Sequence, residues 1–272
     1  MTTTITSTSN QRIKDTIRLR DRRGRQRQGR ILIEGTREIG QALQAGVSFH
    51  EVFICRPHCD LAAEELQQHL AAAQVARFEV SADVWEKLAF GERHEGIICT
   101  ADPPFSSLEE LDCGLNPLIV VLEQVQKPGN VGAVCRSADA VGADALIVAD
   151  AGTDLFNPNA IRASLGTLFR VPMVASPSAT TRSWLVEKRI AIYAARVGDG
   201  QVYTEVDWTQ PSAIVLGSEN QGLSATWCGD EISAVHLPML GTADSLNVSN
   251  TAAIVLYEAL RQRRLSDDHP ID

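Results

Sequence analysis

The amino-acid sequence predicts an α/β protein in which a small α/β unit precedes a larger unit built on a parallel sheet covered by helices. Six apolar runs alternate with helical patterns after residue 117, and several are apolar throughout, which is typical of strands buried on both faces. Residues 103–116 hold two adjacent prolines and a glycine and indicate a linker. We therefore predict domains at 1–102 and 117–272, joined by the linker.

Composition limits the class of protein. The chain has 272 residues, of which 44% are hydrophobic and 22% charged, as in globular proteins with one large or two modest domains. No run approaches the roughly 18 apolar residues of a membrane span, and the opening MTTTITSTSN lacks the apolar stretch of a secretory signal. We expect a cytoplasmic protein with no membrane partner, whose six scattered cysteines are reduced.

A concentrated basic segment, Gln11–Arg30, is called the basic arm below. It carries nine basic and two acidic residues, which gives +7, and because the whole chain is −9, the remainder carries −16. Clustered arginines neutralise phosphates and release counterions, so we interpret the arm as a contact for RNA or DNA. A solvated helix at the amino end is the alternative.

The elements of the small unit follow the arm in a regular order. ILIEGTREIGQALQAG predicts a short apolar run and a helix that ends near Gly46, and HEVFIC predicts a strand. A helix in LAAEELQQHLAAA and a strand in ARFEVS come next. A short helix capped by Ser81 and a strand in GIICTA complete the unit.

The larger unit contains the six apolar runs that predict its sheet. They are PLIVVLEQV, ADALIVAD, RVPMVA, RIAIYAARV, SAIVLGSE and AVHLPM. Ligands of parallel α/β sheets gather where loops leave the carboxyl ends of the strands. The loops after these runs are therefore where chemistry is expected.

The first such loop is EQVQKPGNVGAVCRSADAVGADALIV. Pro128 and Gly129 predict a turn, Asn130 can cap a helix, and Gly142 ends that helix. Arg136 lies off the apolar face, within reach of the same loop as Asn130. Taken alone, it is most simply a solvent-exposed arginine.

Two further loops are unusually polar. IVLGSENQGLS places Glu219 directly after a buried strand, between the turn residues Gly217 and Gly222. LPMLGTADSLNVSNTAAIVLYEAL leads into an amphipathic helix from Val248 through more capping side chains than one helix can use. A simple turn explains the glycines but not the acid or the surplus of polar groups.

Several functions are excluded by missing motifs. Neither PGNVGAV nor GSENQG fits the dinucleotide-binding pattern, and no phosphate-binding P-loop occurs. The nucleophile elbow of Ser-His-Asp hydrolases is absent too, and His236, the one histidine near these loops, is predicted to be a strand residue.

One cluster could be imagined as a metal site. It comprises His50, Cys55, His58 and Cys59. Because the spacing matches no common zinc pattern, a structural role is predicted, and no metal is expected.

The three loops together carry a family resemblance. NVGAVCRSADAVGA, LGSENQGLS and LPMLGTADSLNVSNTAAIVLYE resemble, in this order and spacing, the three motifs of the SpoU (TrmH-type) branch of the SPOUT RNA methyltransferases. The likeness spans roughly Leu118 to Arg264. RDRRGRQRQGRILIEGTREIGQAL and HEGIICTA resemble the amino-terminal substrate-binding domain of those enzymes, which is similar to a kink-turn-binding ribosomal protein.

The resemblance implies an activity, a cofactor and a fold. Members of this family transfer a methyl group from S-adenosylmethionine to a ribose 2′-hydroxyl of RNA. Their SPOUT catalytic domain threads its carboxyl end through a loop to form a trefoil knot, a rare exception to the rules of chain threading. The polar segment 241–250 would then be the knotted loop. The resemblance also implies a homodimer whose active site is completed by two copies.

Site residues are carried over by position. The resemblance places Gly217, Leu237, Met239 and Leu246 at the cofactor. Arg136 corresponds to the arginine of the first motif, and Asn130, Glu219, Ser245 and Asn247 correspond to polar positions that orient that arginine and the substrate.

Arg136 raises a chemical question. The family is often described with this arginine as the base, but a guanidinium keeps its proton in proteins because its pKa lies above about 12. We therefore interpret Arg136 as the group that holds a neighbouring phosphate and stabilises the developing alkoxide, and leave its role as a base open.

Some positions depart from the family pattern or extend it. Lys127 stands where relatives carry an acidic or neutral residue, and Asn250 replaces a small apolar one; neither falls on a position assigned to chemistry. NPNAIRASLGTLFRVPMV also resembles the family, and there Arg162 and Ser164 have either an RNA contact or a structural role.

Two other functions compete with this interpretation. One is an inactive RNA-binding or ribosome-assembly protein of the same fold, and the other is a nucleotide-dependent enzyme of small metabolites, which lacks a phosphate motif. For the RNA, we favour large-subunit ribosomal RNA over transfer RNA, because an added domain with a basic arm suits recognition of a folded junction.

Overall fold

The computed structural model describes residues 3–90, 95–104 and 107–266, and its described residues form two compact units. The first unit contains those of Met1–Pro104 and Phe156–Arg170, and the second contains those of Phe105–Leu155 and Val171–Asp272. The predicted linker 103–116 includes residues 105 and 106, which lie outside the described ones. The predicted boundaries at 102 and 117 remain predictions. The sequence did not predict that residues 156–170 belong to the first unit.

The first unit is a five-stranded mixed sheet with helices. Its elements are β1 (Thr3–Ile5), α1 (Gln11–Arg18), α2 (Arg22–Gln28), β2 (Ile31–Glu34), α3 (Thr36–Gln44), β3 (Phe49–Ile54), α4 (Leu61–Ala72), β4 (Ala76–Val80), α5 (Ala82–Leu88) and β5 (Ile97–Ala101). The strand order is β1-β4-β3-β5-β2, with β5 antiparallel to both of its neighbours. The predicted helices and strands of this unit are therefore found, and the Ser81 side chain caps α5 as expected.

The basic arm forms α1 and α2, and only part of it faces solvent. Arg25 is buried and donates to the carbonyl oxygens of Leu19 and Arg20, at 2.7 Å each. Arg20 in turn donates to the Ala89 carbonyl at 3.0 Å. Arg20 and Arg25 thus stabilise the first unit through hydrogen bonds to its backbone. The exposed cations of the arm are Arg12, Lys14, Arg18, Arg22, Arg23 and Arg27.

The second unit is a seven-stranded sheet, and all of its strand pairs are parallel. Its strands are β6 (Leu118–Glu123), β7 (Ala145–Ala149), β8 (Met173–Ser176), β9 (Ala191–Ala195), β10 (Gln201–Val202), β11 (Ser212–Leu216) and β12 (Ile232–His236), in the order β10-β12-β9-β11-β6-β7-β8. Its helices are α6 (Pro128–Val141), α8 (Ser178–Glu187) and α9 (Val248–Ser266). The predicted parallel sheet is confirmed. Its apolar runs were predicted to be strands buried on both faces, and β6, β7 and β11 are buried at every position.

The order of the strands creates a switch point. Strands β7 and β8 lie on one side of β6. Strands β11, β9 and β12 lie on its other side, with β11 next to β6. Loops that leave β6 and β11 diverge at this point, which is where open α/β sheets bind ligands.

Helices α6 and α9 pack against each other over apolar faces. The buried residues of α9 include Val248, Ala252 and Val255, with the helical spacing that the sequence predicts. Asn130, however, is not the cap of α6. The helix begins at Pro128, whose fixed φ suits a first helical position, so Asn130 lies inside the first turn.

A short helix, α7 (Pro158–Ala163), lies in the part of the chain that joins the first unit. It contacts β2, and the following turn at Gly166 contacts α3. Among the described residues, no helix has both the length and the apolar composition needed to cross a membrane.

Candidate functional site

A cavity of about 190 Å³ opens at the carboxyl edge of the large sheet. Its walls come from the ends of β9, β11 and β12, from the loop after β11, and from the segment before α9. Because parallel strands end at the same edge, segments far apart in the chain meet here.

The four residues predicted to bind a cofactor all line this cavity. They are Gly217, Leu237, Met239 and Leu246. Gly217 follows β11 and Leu237 follows β12, so the register of two buried strands places them. Their role as cofactor ligands remains a prediction.

Gly217 has a steric reason to be glycine. The loop folds back so that Ser218 pairs with Gly222, whose φ is +66°. A Cβ at position 217 would lie 2.2 Å from the carbonyl carbon of Gly222, closer than any side chain allows. Only glycine lets the two strands of this loop approach so closely.

A line of hydrogen bonds joins three of the predicted catalytic residues. The Asn130 side-chain amide donates to the Glu219 carboxylate, and the Asn247 amide donates to Asn130 Oδ1 over 3.5 Å. Glu219 and Ser245 also line the cavity. The first motif, the second motif and the polar segment before α9 thus meet beside the cavity.

Asn247 has a second set of contacts. Its Oδ1 accepts hydrogen bonds from the Ser249 backbone at 2.9 Å and from the Ser249 hydroxyl at 2.7 Å, which makes it the cap of α9. Among the surplus capping side chains of this segment, Asn247 is therefore one that caps the helix.

Arg136 lies apart from these groups. It is exposed on α6, and it has no hydrogen bond or ion pair with a residue in the described part of the chain. It does not line the cavity. Its guanidinium is thus available to a phosphate or to another chain.

Glu123, which the sequence analysis did not single out, is the buried acid of this region. It ends β6 and is 1% exposed. Its carboxylate accepts hydrogen bonds from the Ser224 backbone at 2.7 Å, the Ser224 hydroxyl at 2.6 Å and the Ser178 hydroxyl at 2.8 Å. It anchors the far end of the loop that carries Glu219. An acid at the end of an otherwise apolar run was the signal available for it.

Two further residues line the cavity, although the sequence did not indicate that they would. Arg196 follows β9 and donates to the Trp227 carbonyl oxygen at 2.7 Å. His236 ends β12, as predicted, and also lines the cavity, where its Nδ1 has no hydrogen-bond partner among the described residues.

The remaining predicted residues have structural contacts. Ser164 is fully buried and donates to the Ile161 carbonyl at 2.9 Å, which supports the structural role of the two considered. The guanidinium of Arg162 lies 5.9 Å from the centroid of the Phe90 ring.

In the cluster considered for a metal, His50 bonds to Asp102 at 2.6 Å and His58 stacks on Trp85. Burial raises the pKa of the Cys55 and Cys59 thiols, which keeps them protonated. None of the six cysteines, all of which lie in the described residues, forms a disulfide.

Two family models match the chain. One describes the SpoU rRNA methylase family and covers residues 117–257. The other describes the MRM3-like substrate-binding domain and covers residues 10–99.

Individual relatives match over nearly the whole length. A 23S rRNA (uridine(2479)-2′-O)-methyltransferase of Streptomyces viridochromogenes is 33% identical over 90% of this chain and 87% of its own. The crystal structure of an RNA 2′-O ribose methyltransferase matches with 40% identity and a TM-score of 0.83, over 96% of this chain and 99% of that one. The SpoU methyltransferase AviRb of Streptomyces viridochromogenes, solved in complex with the cofactor AdoMet, matches with 30% identity and a TM-score of 0.82, over 93% and 98%.

Proposed function

The chain belongs to the SpoU rRNA methylase family, and we propose that the RNA it methylates is 23S ribosomal RNA. It is an S-adenosylmethionine-dependent enzyme that methylates a ribose 2′-hydroxyl. The observation that carries this conclusion is the convergence of Gly217, Leu237, Met239 and Leu246 on one cavity. The alternative of an inactive protein has no support among these relatives.

The residues around the cavity fit S-adenosylmethionine. Leu216, Leu237 and Met239 offer apolar surface for an adenine ring, and the carboxylates of Glu219 and Asp244 suit a cationic ligand. The Nδ1 of His236 offers a hydrogen-bonding atom that no described residue uses. We assign the cofactor to Gly217, Leu237, Met239 and Leu246 on this basis.

The bound cofactor supplies a sulfonium methyl group for transfer to an oxygen nucleophile. The chain must hold the ribose hydroxyl in line with that group, because positioning alone can supply much of the acceleration. We assign this positioning to Glu219, Ser245 and Asn247, with Asn130 fixing the Glu219 carboxylate.

We assign Arg136 to the RNA phosphate next to the reacting ribose. A guanidinium there neutralises the phosphate and stabilises negative charge that develops on the ribose oxygen during methyl transfer. Its exposure and its lack of a partner among the described residues leave it free for that contact.

We further propose that the enzyme is a homodimer and that its active site is completed by two copies. Arg136 does not line the cavity of its own chain, which supports a site in which a second copy presents this arginine to the RNA. Two large apolar side chains are exposed in the single chain: Leu240, next to the cavity residue Met239, at 99%, and Tyr257 on α9 at 53%. Contact with a second copy covers such surface.

Two other features of the family are proposed for this chain. The carboxyl-terminal segment that precedes α9 forms a trefoil knot, and the domain boundaries are those predicted from the sequence, except that residues 156–170 belong to the first unit. We also propose that the enzyme acts in the cytoplasm.

The basic arm supports ribosomal RNA as the substrate. Its exposed cations lie on α1 and α2 of the unit that matches the substrate-binding model. An unusually folded RNA offers phosphates at more than one angle, which suits cations spread over two helices.

The experiment that tests the substrate maps 2′-O-methyl groups in ribosomal RNA from cells with and without this gene. We expect one ribose of 23S ribosomal RNA to lose its methyl group when the gene is deleted. Restoration by the wild-type chain but not by a Glu219→Gln chain is the control for catalysis. Loss of a methyl group only in transfer RNA would contradict the proposed substrate.

A further inference from the structure

A second cavity, of about 330 Å³, lies inside the first unit and is polar. It lies between the helices of the basic arm and the sheet that they cover. Its lining includes Arg12, Asp15, Gln28, Arg30, Glu51 and Thr100. The match to a substrate-binding domain covers residues 10–99 as a whole, and the three motifs lie in the second unit.

The polar lining arises where the side chains on one face of the sheet change from apolar to polar. Phe53 on β3 and Ile98 on β5 are paired across the strands and belong to the apolar core under α1. Two residues along each strand, on the same face, the pair becomes Glu51 and Thr100. A β-bulge between Phe49 and Glu51 adjoins the pair, and bulges often re-aim a side chain at a functional site.

Thr100 gives the cavity an unused hydrogen-bonding group. It is 1% exposed, it lines the cavity, and its hydroxyl has no hydrogen-bond partner among the described residues. Buried hydroxyls are nearly always paired, and one left alone is destabilising. A ligand that enters the cavity can supply the missing partner.

The charges around the cavity are balanced. Arg12 forms an ion pair with Glu51, and Arg30 Nη1 lies 3.9 Å from Glu51 Oε2. Asp15 adds a second carboxylate. Two cations face two anions, so the cavity offers a phosphate no net attraction, whereas a neutral ligand with both donors and acceptors would be satisfied.

Arg12 also provides a flat surface. Its guanidinium lies 4.3 Å from the centroid of the Phe78 ring, and its side chain is 45% exposed. Guanidinium planes backed by an aromatic ring are surfaces on which unpaired bases stack.

We propose that this cavity binds an unpaired guanine of the substrate RNA. Guanine carries two adjacent N–H donors on its Watson–Crick edge, which match the Glu51 carboxylate. Its O6 and N7 acceptors match an arginine, the commonest specific contact to this base. Other bases lack this combination of paired donors and paired acceptors. The inference rests on the proposed function, because the exposed cations of the arm bring the RNA backbone to the rim of the cavity.

Two variants test the site with full-length enzyme and a 23S ribosomal RNA transcript. Thr100→Val removes the hydroxyl while keeping the shape, and Glu51→Gln removes the charge. Thr181→Val is the matched control, because Thr181 is also fully buried with an unpartnered hydroxyl in the described structure but belongs to the second unit. Thermal unfolding of all three shows whether each variant folds.

Two readouts are taken on the same samples. Kethoxal modifies the Watson–Crick edge of unpaired guanines, so protection of a guanine reports its binding directly. Labelled S-adenosylmethionine reports methyl transfer. We expect wild type and Thr181→Val to protect one guanine that Thr100→Val and Glu51→Gln leave reactive. RNA binding by these two variants should weaken by about tenfold, as for one lost hydrogen bond.

The outcomes separate the inference from the proposed function. If the wild-type enzyme methylates the transcript but no protected guanine depends on Thr100 or Glu51, the guanine site is refuted and the function stands. If the wild-type enzyme neither binds nor methylates the transcript, the proposed substrate is refuted, and the guanine site with it.

Discussion

Arg136 and Glu219, to which we assign roles in methyl transfer, lie in different surroundings. Glu219 is held by Asn130 beside the cavity, while Arg136 is exposed on a helix surface. The two residues therefore predict different kinds of defect when they are replaced.

Arg136→Ala should lower kcat by at least about 10²-fold, because it removes a group that acts on developing charge. The affinity for S-adenosylmethionine, measured by calorimetric titration, should stay nearly unchanged, since Arg136 does not line the cavity. Arg189→Ala is the control, because Arg189 is also exposed and precedes β9 at the opposite edge of the sheet. Retained turnover in Arg136→Ala would contradict the assignment.

Asn130 and Glu219 should behave as one unit. In a double-mutant cycle of Asn130→Ala and Glu219→Ala, the effects on kcat/KM should be non-additive by about 1–3 kcal/mol, because each residue orients the other. Steady-state kinetics of the two single variants and the double variant measure the coupling. Additive effects would show that the hydrogen bond between them does not matter for turnover.

Among elements, the loop after β11 depends on a residue from β6. Glu123→Ala would leave buried donors of Ser178 and Ser224 without an acceptor, so the free energy of unfolding should fall by at least about 2 kcal/mol. KM for S-adenosylmethionine should rise more than kcat falls, since the loop lines the cavity. Urea unfolding and initial rates measure the two effects.

The isosteric variant Glu123→Gln controls for volume. It keeps an oxygen that can accept from Ser224, so its loss of stability should be smaller than that of Glu123→Ala. Equal KM for wild type and Glu123→Ala would show that the loop holds its shape without this anchor.

Asn247 caps α9, and we also assign to it a role in positioning the ribose. Asn247→Asp keeps an oxygen for the cap, so stability should change by less than about 0.5 kcal/mol, whereas Asn247→Ala should cost about 1 kcal/mol. Activity should fall in both, because both lose the amide that donates to Asn130. Full activity in Asn247→Asp would show that Asn247 caps α9 but has no role in methyl transfer.

Most helices and strands of both units follow from the sequence, because hydrophobic periodicity and buried runs are strong local signals, but the short strands β1 and β10 were not predicted. Loop details do not follow. Gln124 and Asp150, directly after β6 and β7, adopt left-handed conformations with φ of +53° and +46°. Non-glycine residues rarely do so, and only the surrounding packing enforces it. The start of α6 at Pro128 rather than after Asn130 is a similar case.

In the candidate site, the residues of the motifs could be singled out from the sequence. The residues that hold the motif loops in place, such as Glu123, could not. Gly217 and Glu219 stand out as a glycine and an acid after a buried strand. The acceptor on which Ser224 depends comes from Glu123, about 100 positions earlier in the chain. Such a pairing depends on the strand order, in which β6 and β11 are neighbours.

At the scale of the whole molecule, the proposed dimer predicts complementation. A mixture of Arg136→Ala and Glu219→Ala chains, each inactive alone, should recover about a quarter of wild-type activity, since half of the dimers are mixed and each holds one intact site. Methyl transfer after co-refolding of the two chains measures this. No recovery, with mixed dimers shown to form, would place Arg136 in the site of its own chain.

The segment Phe156–Arg170 gives the first unit a boundary that is not continuous along the chain. Gly166 packs with 3.0 Å between its virtual Cβ and the Glu38 Cα, and Phe156 and Leu168 are buried. A chimera that grafts only residues 1–104 from a relative would therefore pair foreign β2 and α3 surfaces with the resident segment. A chimera meant to exchange substrate preference must therefore take both stretches, 1–104 and 156–170, from the same relative. The first unit cannot be transferred as one continuous piece of sequence.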